Sequence, residues 1–187
     1  MCMWAYKNPK QEDQTYCGSS YLTNLTGLIG TIFLWMYWPS FNSVLETGNG
    51  KSRAAINTTL SLLASVISTL LTSMALHKGR CDAEQVLNAT LAGGVMMGVN
   101  ADIIVAPFIS LIIGFVAGVI TTLGFQFGPT ILYRYLKMHD TCGVLYLHLI
   151  PGLLGGLISG LIAGVSAERL YGPDLTDVFE QMGSGHT

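Results

Sequence analysis

Along the chain, uncharged apolar runs of membrane-spanning length alternate with short polar, turn-prone connections. Residues 7–20 (KNPKQEDQTYCGSS) are polar and predict a loop. An uncharged run from about Tyr21 to Trp38 follows and closes on Phe33, Trp35, Tyr37 and Trp38, residue types that collect where a bilayer meets water. Pro39 is expected to end or kink that helix, and Glu46 to Arg53 to form a polar connection. A second run, about Ala54 to Leu76, is rich in Ser and Thr, whose hydroxyls can hydrogen-bond within or between helices in lipid; it stops at His77-Lys78-Gly79-Arg80. A third, about Ala83 to Ile104, is the weakest. It carries Asn88, the small run Ala92-Gly93-Gly94, Asn100 and Asp102, so it must face other helices or a cavity. A fourth covers about Ala106 to Phe127, with Gly114 and Gly118 spaced for close helix packing, and Tyr133 to Asp140 predicts a basic loop.

The fifth run, Gly143 to Ala167, holds no formal charge apart from what His148 carries, and is long enough to span a bilayer. Gly152, Gly156, Gly160 and Gly164 recur every fourth residue, with His148 one step earlier in the same series. At about 100° per residue, a four-residue step drifts only about 40°. The glycines are therefore expected to form a slowly winding groove for a neighbouring helix, starting at the histidine. An ionisable side chain inside a membrane span is costly, which makes His148 the leading candidate site residue. Asp140 stands where an acidic N-cap would stabilise this last helix.

Composition supports the same picture. Half of the 187 residues are hydrophobic and 11% are charged, against about 25% charged in ordinary soluble domains. The expected fold is an all-α membrane protein with about five transmembrane helices. Residues 1–20 would be a cytoplasmic loop after the stub of an earlier helix (Trp4-Ala-Tyr-Lys-Asn-Pro9), 21–167 a partial transmembrane domain, and 168–187 a polar, poorly ordered tail. Lys7, Lys10, Lys78, Arg80, Arg134 and Lys137 fall on the side of the N-terminus, against Lys51, Arg53 and Arg169 on the other. That excess predicts a cytoplasmic N-terminal loop and an extracytoplasmic tail. An odd number of spans beginning at a helix stub predicts part of a larger bundle.

The net charge of −2 and scattered basic residues exclude a nucleic-acid partner. Cys2, Cys17, Cys81 and Cys142 have no metal-ligand spacing, and no Walker or dinucleotide fingerprint appears, so neither metal nor cofactor is signalled. The string nearest to an intramembrane serine protease motif is Gly156-Leu-Ile-Ser159-Gly160, and Ser159 shares its helix with His148 about 16 Å away, too far for a dyad. Catalysis is not expected. Asn24, Asn57 and Asn88 begin glycosylation sequons by spelling but lie in or against spans.

Several runs resemble the Rh-type ammonium transporters of the ammonium transporter/Rh superfamily. They are Gly30-Thr-Ile-Phe-Leu-Trp-Met-Tyr-Trp-Pro-Ser-Phe-Asn-Ser43, Arg53-Ala-Ala-Ile-Asn-Thr58, Asn88-Ala-Thr-Leu-Ala-Gly-Gly-Val95, Ile112-Ile-Gly-Phe-Val-Ala-Gly118, Asp140-Thr-Cys-Gly143 and His148-x-Ile-Pro-Gly152. The resemblance implies a multi-pass, plasma-membrane protein built from two inverted halves, assembled as a homotrimer or with other Rh-type subunits, with one pore through each subunit. This chain would be the second half without its last helix. His148 would be one of two pore histidines, Phe41 one of two aromatic rings closing the outer mouth, and Asp140 an acidic residue near the cytoplasmic end. Ammonia or ammonium is the implied substrate, with methylammonium or carbon dioxide as further permeants. Leu145, Tyr146 and Leu149 around the histidine, and Met96 and Met97, are bulkier than the family pattern. Such bulk is expected to narrow the pore or shift the helix, which favours the alternative of a non-conducting Rh-like subunit with a structural role.

The implied chemistry agrees with the residues. An apolar pore cannot solvate ammonium, so the ion would have to shed its proton before the narrow part, at a cost of several kcal/mol or more if it did not. Neutral ammonia can pass a neutral imidazole, which both donates and accepts a hydrogen bond.

Overall fold

The structure is a computed structural model that describes residues 19–138, 140 and 142–165. The expected helix stub, most of the N-terminal loop and the polar tail lie outside the described residues. Among the described residues six helices follow in chain order: α1 (Tyr21–Ser43), α2 (Gly48–Leu76), α3 (Ala83–Ala89), α4 (Ala92–Met97), α5 (Pro107–Leu136) and α6 (Ile150–Val165), the last continuous with a π-helical turn over Leu145–Leu149. Among the described residues, three of the resulting helices are long and apolar enough to cross a membrane: Gly48–Leu76, Pro107–Leu136 and Leu145–Val165.

Local sequence accounts for the ends. The Ser20 hydroxyl accepts from the Thr23 amide while the Thr23 hydroxyl accepts from the Ser20 amide at 2.7 Å, a reciprocal cap that starts α1. α1 runs through Pro39 to Ser43, so the proline does not end it. Its last turn is instead held by Asn42, whose amide donates to Thr58 Oγ1 and to the Gly94 carbonyl, each at 3.2 Å. Asp82 caps α3 by accepting from the Gln85 amide, and Pro107 opens α5, where a missing N–H costs nothing. α2 closes with Gly79 at φ +86, its amide reaching the Met74 carbonyl.

The third expected span is not a continuous helix. α3 and α4 are short, and irregular chain leads on to α5. This segment nevertheless crosses the bundle, because α2 supports it rung by rung. The Ser73 hydroxyl accepts from the Asp82 amide, Ser65 donates to the Ala89 carbonyl at 2.9 Å, and Ser61 donates to the Gly93 carbonyl at 2.8 Å. Further on, Asn57 donates to the Ala101 and Ile104 carbonyls, and Arg53 to the Asp102 carbonyl. Buried Ser61, Ser65 and Asn57 of α2 thus supply donors that a broken helix inside a membrane protein would otherwise lack.

α2 also packs closely on α5. A Cβ on Gly114 would collide with the Ser61 backbone, and one on Gly118 with Ser65 and Ser68. The core gathers Ala54, Leu91, Ala92, Met96, Met97, Ile104, Ile113 and Leu147 around α4, with Trp35 and Trp38 against it. Large apolar side chains elsewhere are exposed, Leu153, Leu157 and Leu161 of α6 among them.

Candidate functional site

His148 stands within the π-helical turn, a feature that inserts one extra residue into a helix and recurs at functional sites. Pro151 supplies its local cause. In an ordinary α-helix the proline ring would collide with the carbonyl four residues back, that of Leu147. Instead the Ile150 amide donates to the Leu145 carbonyl, five residues back. The same spacing would next ask residue 151 to donate to the Tyr146 carbonyl, and proline has no amide hydrogen. Thr121 Oγ1, fully buried on α5, donates to that carbonyl at 3.1 Å.

Two anchors flank the turn. Upstream, Asp140 accepts from the Val144 amide at 3.1 Å and the Leu145 amide at 2.6 Å, which makes it the cap of this helix. Tyr146 is buried in a socket whose floor is Gly124 and Gly128; a Cβ on Gly128 would collide with its ring. Phe125 meets that ring edge-on at 5.8 Å. Downstream, Gly155 lies so close to Met96 that a Cβ would come 2.6 Å from the Met96 carbonyl, and Asn100 donates to the Gly155 carbonyl at 3.0 Å.

Between these anchors, His148 is exposed toward a cleft of about 590 Å³. One wall is α1, through Gly27, Gly30, Thr31, Leu34 and Trp38; the end of α3 supplies Leu87 and Asn88, and Leu91 follows just before α4; Cys142, Val144 and Leu147 flank the histidine. No Asp, Glu, Lys or Arg lines it, and the His148 imidazole makes no hydrogen bond to another described residue. The space is an uncharged, largely apolar cleft that also takes in Thr31, Asn88 and one imidazole, a group that can give or take a hydrogen bond.

The other residues singled out from the sequence lie apart from the cleft lining. Phe41 is 74% exposed, one turn beyond Trp38, and Asp140 touches the site only through the backbone it caps. Met96 and Met97 are fully buried in the core, and neither they nor Leu145, Tyr146 and Leu149 line the cleft. Their bulk therefore does not occupy this cleft. Gly152, Gly156, Gly160 and Gly164 do not line the cleft, and a Cβ added at any of them would meet nothing within 4 Å. His148, Gly152, Gly156, Gly160 and Gly164 all lie on the exposed side of this helix, and Gly155, outside that series, makes the close contact. Among the described residues no group of three His, Cys, Asp or Glu side chains is placed to hold a metal ion.

The residues of α1 that wall the cleft went unnoticed in the sequence, although Gly27, Thr31, Leu34 and Trp38 recur at four- and three-residue steps that define one helix face.

The profile of the Ammonium Transporter Family matches residues 1–184. The chain belongs to that family. It is 44% identical to the Ammonium transporter Rh type C of Xenopus laevis over 171 residues, which are 90% of this chain and 36% of the relative. It is 45% identical to the Ammonium transporter Rh type B of Bos taurus over 182 residues, 96% of this chain and 40% of the relative. Among solved structures, one described as "Nitrosomonas europaea Rh50 and mechanism of conduction by Rhesus protein family of channels" superposes with a TM-score of 0.75 at 33% identity, over 88% of this chain and 42% of that one. The chain thus spans well under half the length of the Rh-type relatives it matches, and its all-helical fold is that of a membrane protein of this family.

Proposed function

We propose that this chain forms the wall of an ammonia-conducting pore in an Rh-type transporter, with His148 as the pore histidine. The observation that carries the reading is the exposure of His148 to a charge-free cleft between α1, α3 and the π turn. Ammonium loses its proton before entering the apolar passage, because carrying the charge through it would cost several kcal/mol or more. The neutral molecule then exchanges a hydrogen bond with the imidazole and moves on. Phe41, exposed at the end of α1, acts as an aromatic ring at one mouth, and Asp140 holds the histidine helix by its cap. The test is uptake of labelled methylammonium by cells expressing a chimera in which this chain replaces the matching segment of the Xenopus laevis Rh type C transporter. Uptake above background that falls at least tenfold with His148→Ala supports the reading; equal uptake with and without the imidazole, at equal membrane level, overturns it.

A second reading, a non-conducting Rh-like subunit that contributes packing surface, is favoured by the open row Gly152, Gly156, Gly160 and Gly164. A chimera that reaches the membrane and assembles but takes up no methylammonium would favour it.

A further inference from the structure

We infer that Thr121 and Pro151 form a matched pair that sets the position of His148, Thr121 being a positioning residue whose hydroxyl stands in for the amide hydrogen that Pro151 lacks. The inference rests on the proposed role of His148 for its functional consequence, though its geometry stands alone. Pro151 disfavours the α register at Leu147, and the turn widens so that Ile150 donates to Leu145. Widening leaves the Tyr146 carbonyl facing residue 151, where no donor exists, in the interior of the bundle. An unpaired carbonyl there would favour collapse of the turn to another register. One residue of register change rotates the helix by about 100°, enough to carry the His148 ring out of the cleft. Thr121 Oγ1, buried and 3.1 Å from the Tyr146 carbonyl, removes that pressure. Thr122, its neighbour, instead bonds back to the Gly118 carbonyl of its own helix at 2.7 Å. Of these two hydroxyls only the first bridges helices.

The pair makes a prediction that simple loss of packing does not. In the chimera described above, Thr121→Val keeps the shape but removes the donor, and lowers methylammonium uptake on the order of tenfold, the scale of one unpaired buried carbonyl. Thr121→Ser keeps the donor and retains most of the uptake. Pro151→Ala restores an amide hydrogen at residue 151, so the double variant Thr121→Val/Pro151→Ala recovers the uptake that Thr121→Val lost. A second readout is independent of transport: with His148→Cys in an otherwise cysteine-free background, the rate of thiol modification by a water-soluble methanethiosulfonate falls with Thr121→Val and returns with the added Pro151→Ala. If Thr121→Val and Thr121→Ser behave alike, or if Pro151→Ala fails to rescue either readout, the inference is overturned. Should Thr121→Val not reach the membrane, the double variant must still do so at the parent level, and its failure also overturns the inference. If His148→Ala leaves uptake unchanged while thiol modification follows the predicted cycle, the positioning inference stands and the pore reading falls.

Discussion

At the scale of single residues, bulk and its absence are matched across helices. Tyr146 is large, yet it is buried because Gly124 and Gly128 on α5 leave room for its ring. Gly128→Ala should therefore destabilise the fold by about 1–3 kcal/mol, seen as a fall of about 5 °C in the melting temperature of the purified protein in detergent. Tyr146→Leu in the same background should recover most of that loss, and a drop that persists would show that the alanine acts elsewhere. His148 was visible in the sequence because an ionisable group inside an apolar run is costly wherever it lies. Tyr146 was legible only as bulk, since its socket is written some twenty residues away on another helix and no local pattern links the two.

At the scale of elements, α2 decides the architecture. Its Ser61, Ser65 and Ser73 lie on the face toward the broken segment; the Ser61 and Ser65 hydroxyls satisfy carbonyls that a continuous helix would have satisfied itself, and Ser73 takes the amide of the N-cap residue Asp82, which no helix would satisfy. Ser65 has two such partners, donating to the Ala89 carbonyl and accepting from the Gly93 amide at 3.2 Å, whereas Ser61 has one. Ser65→Ala should thus cost more than Ser61→Ala, by about 0.6 kcal/mol, the average for a side-chain hydrogen bond between membrane helices. Thr59→Ala, which removes only an exposed bond to its own helix, should cost least. Thermal melting of the three variants checks the order; equal losses would mean that these hydroxyls do not carry the broken segment. The polar residues of α2 and of residues 83–104 were each conspicuous in the sequence, and they predicted burial against other helices. What they did not reveal is that the second group breaks its helix. Asn88, Gly93, Gly94 and Asn100 are tolerated in a membrane helix or signal its interruption, and the choice depends on donors supplied by α2. The π turn was hidden for a similar reason: Pro151 marks a disturbed register, but Thr121, which makes that register tenable, lies thirty residues earlier.

At the scale of the whole molecule, the described helices enclose an apolar core with buried Ser, Thr and Asn beside it and leave much apolar surface outside. The face of α6 that carries Leu153, Leu157 and Leu161 is exposed, and Gly152, Gly156, Gly160 and Gly164 meet nothing within 4 Å. Helical periodicity told which of these residues share a face, though not what covers it, and so the packing role expected of the glycine row is not made within the described residues. The cleft beside His148 follows from the same arrangement, since α1 stands away from the π turn along Gly27, Gly30 and Leu34. Gly30 offers the most direct test that this cleft is the route. It lines the cleft, and a Cβ there would meet nothing within 4 Å, so a larger side chain can enter without displacing the fold. Methylammonium uptake should be measured for the chimera with and without Gly30→Leu at matched membrane level. Leucine is expected to fill the passage and lower uptake on the order of tenfold or more, the scale expected when a transported molecule must displace a packed side chain; undiminished uptake would contradict a route through this cleft.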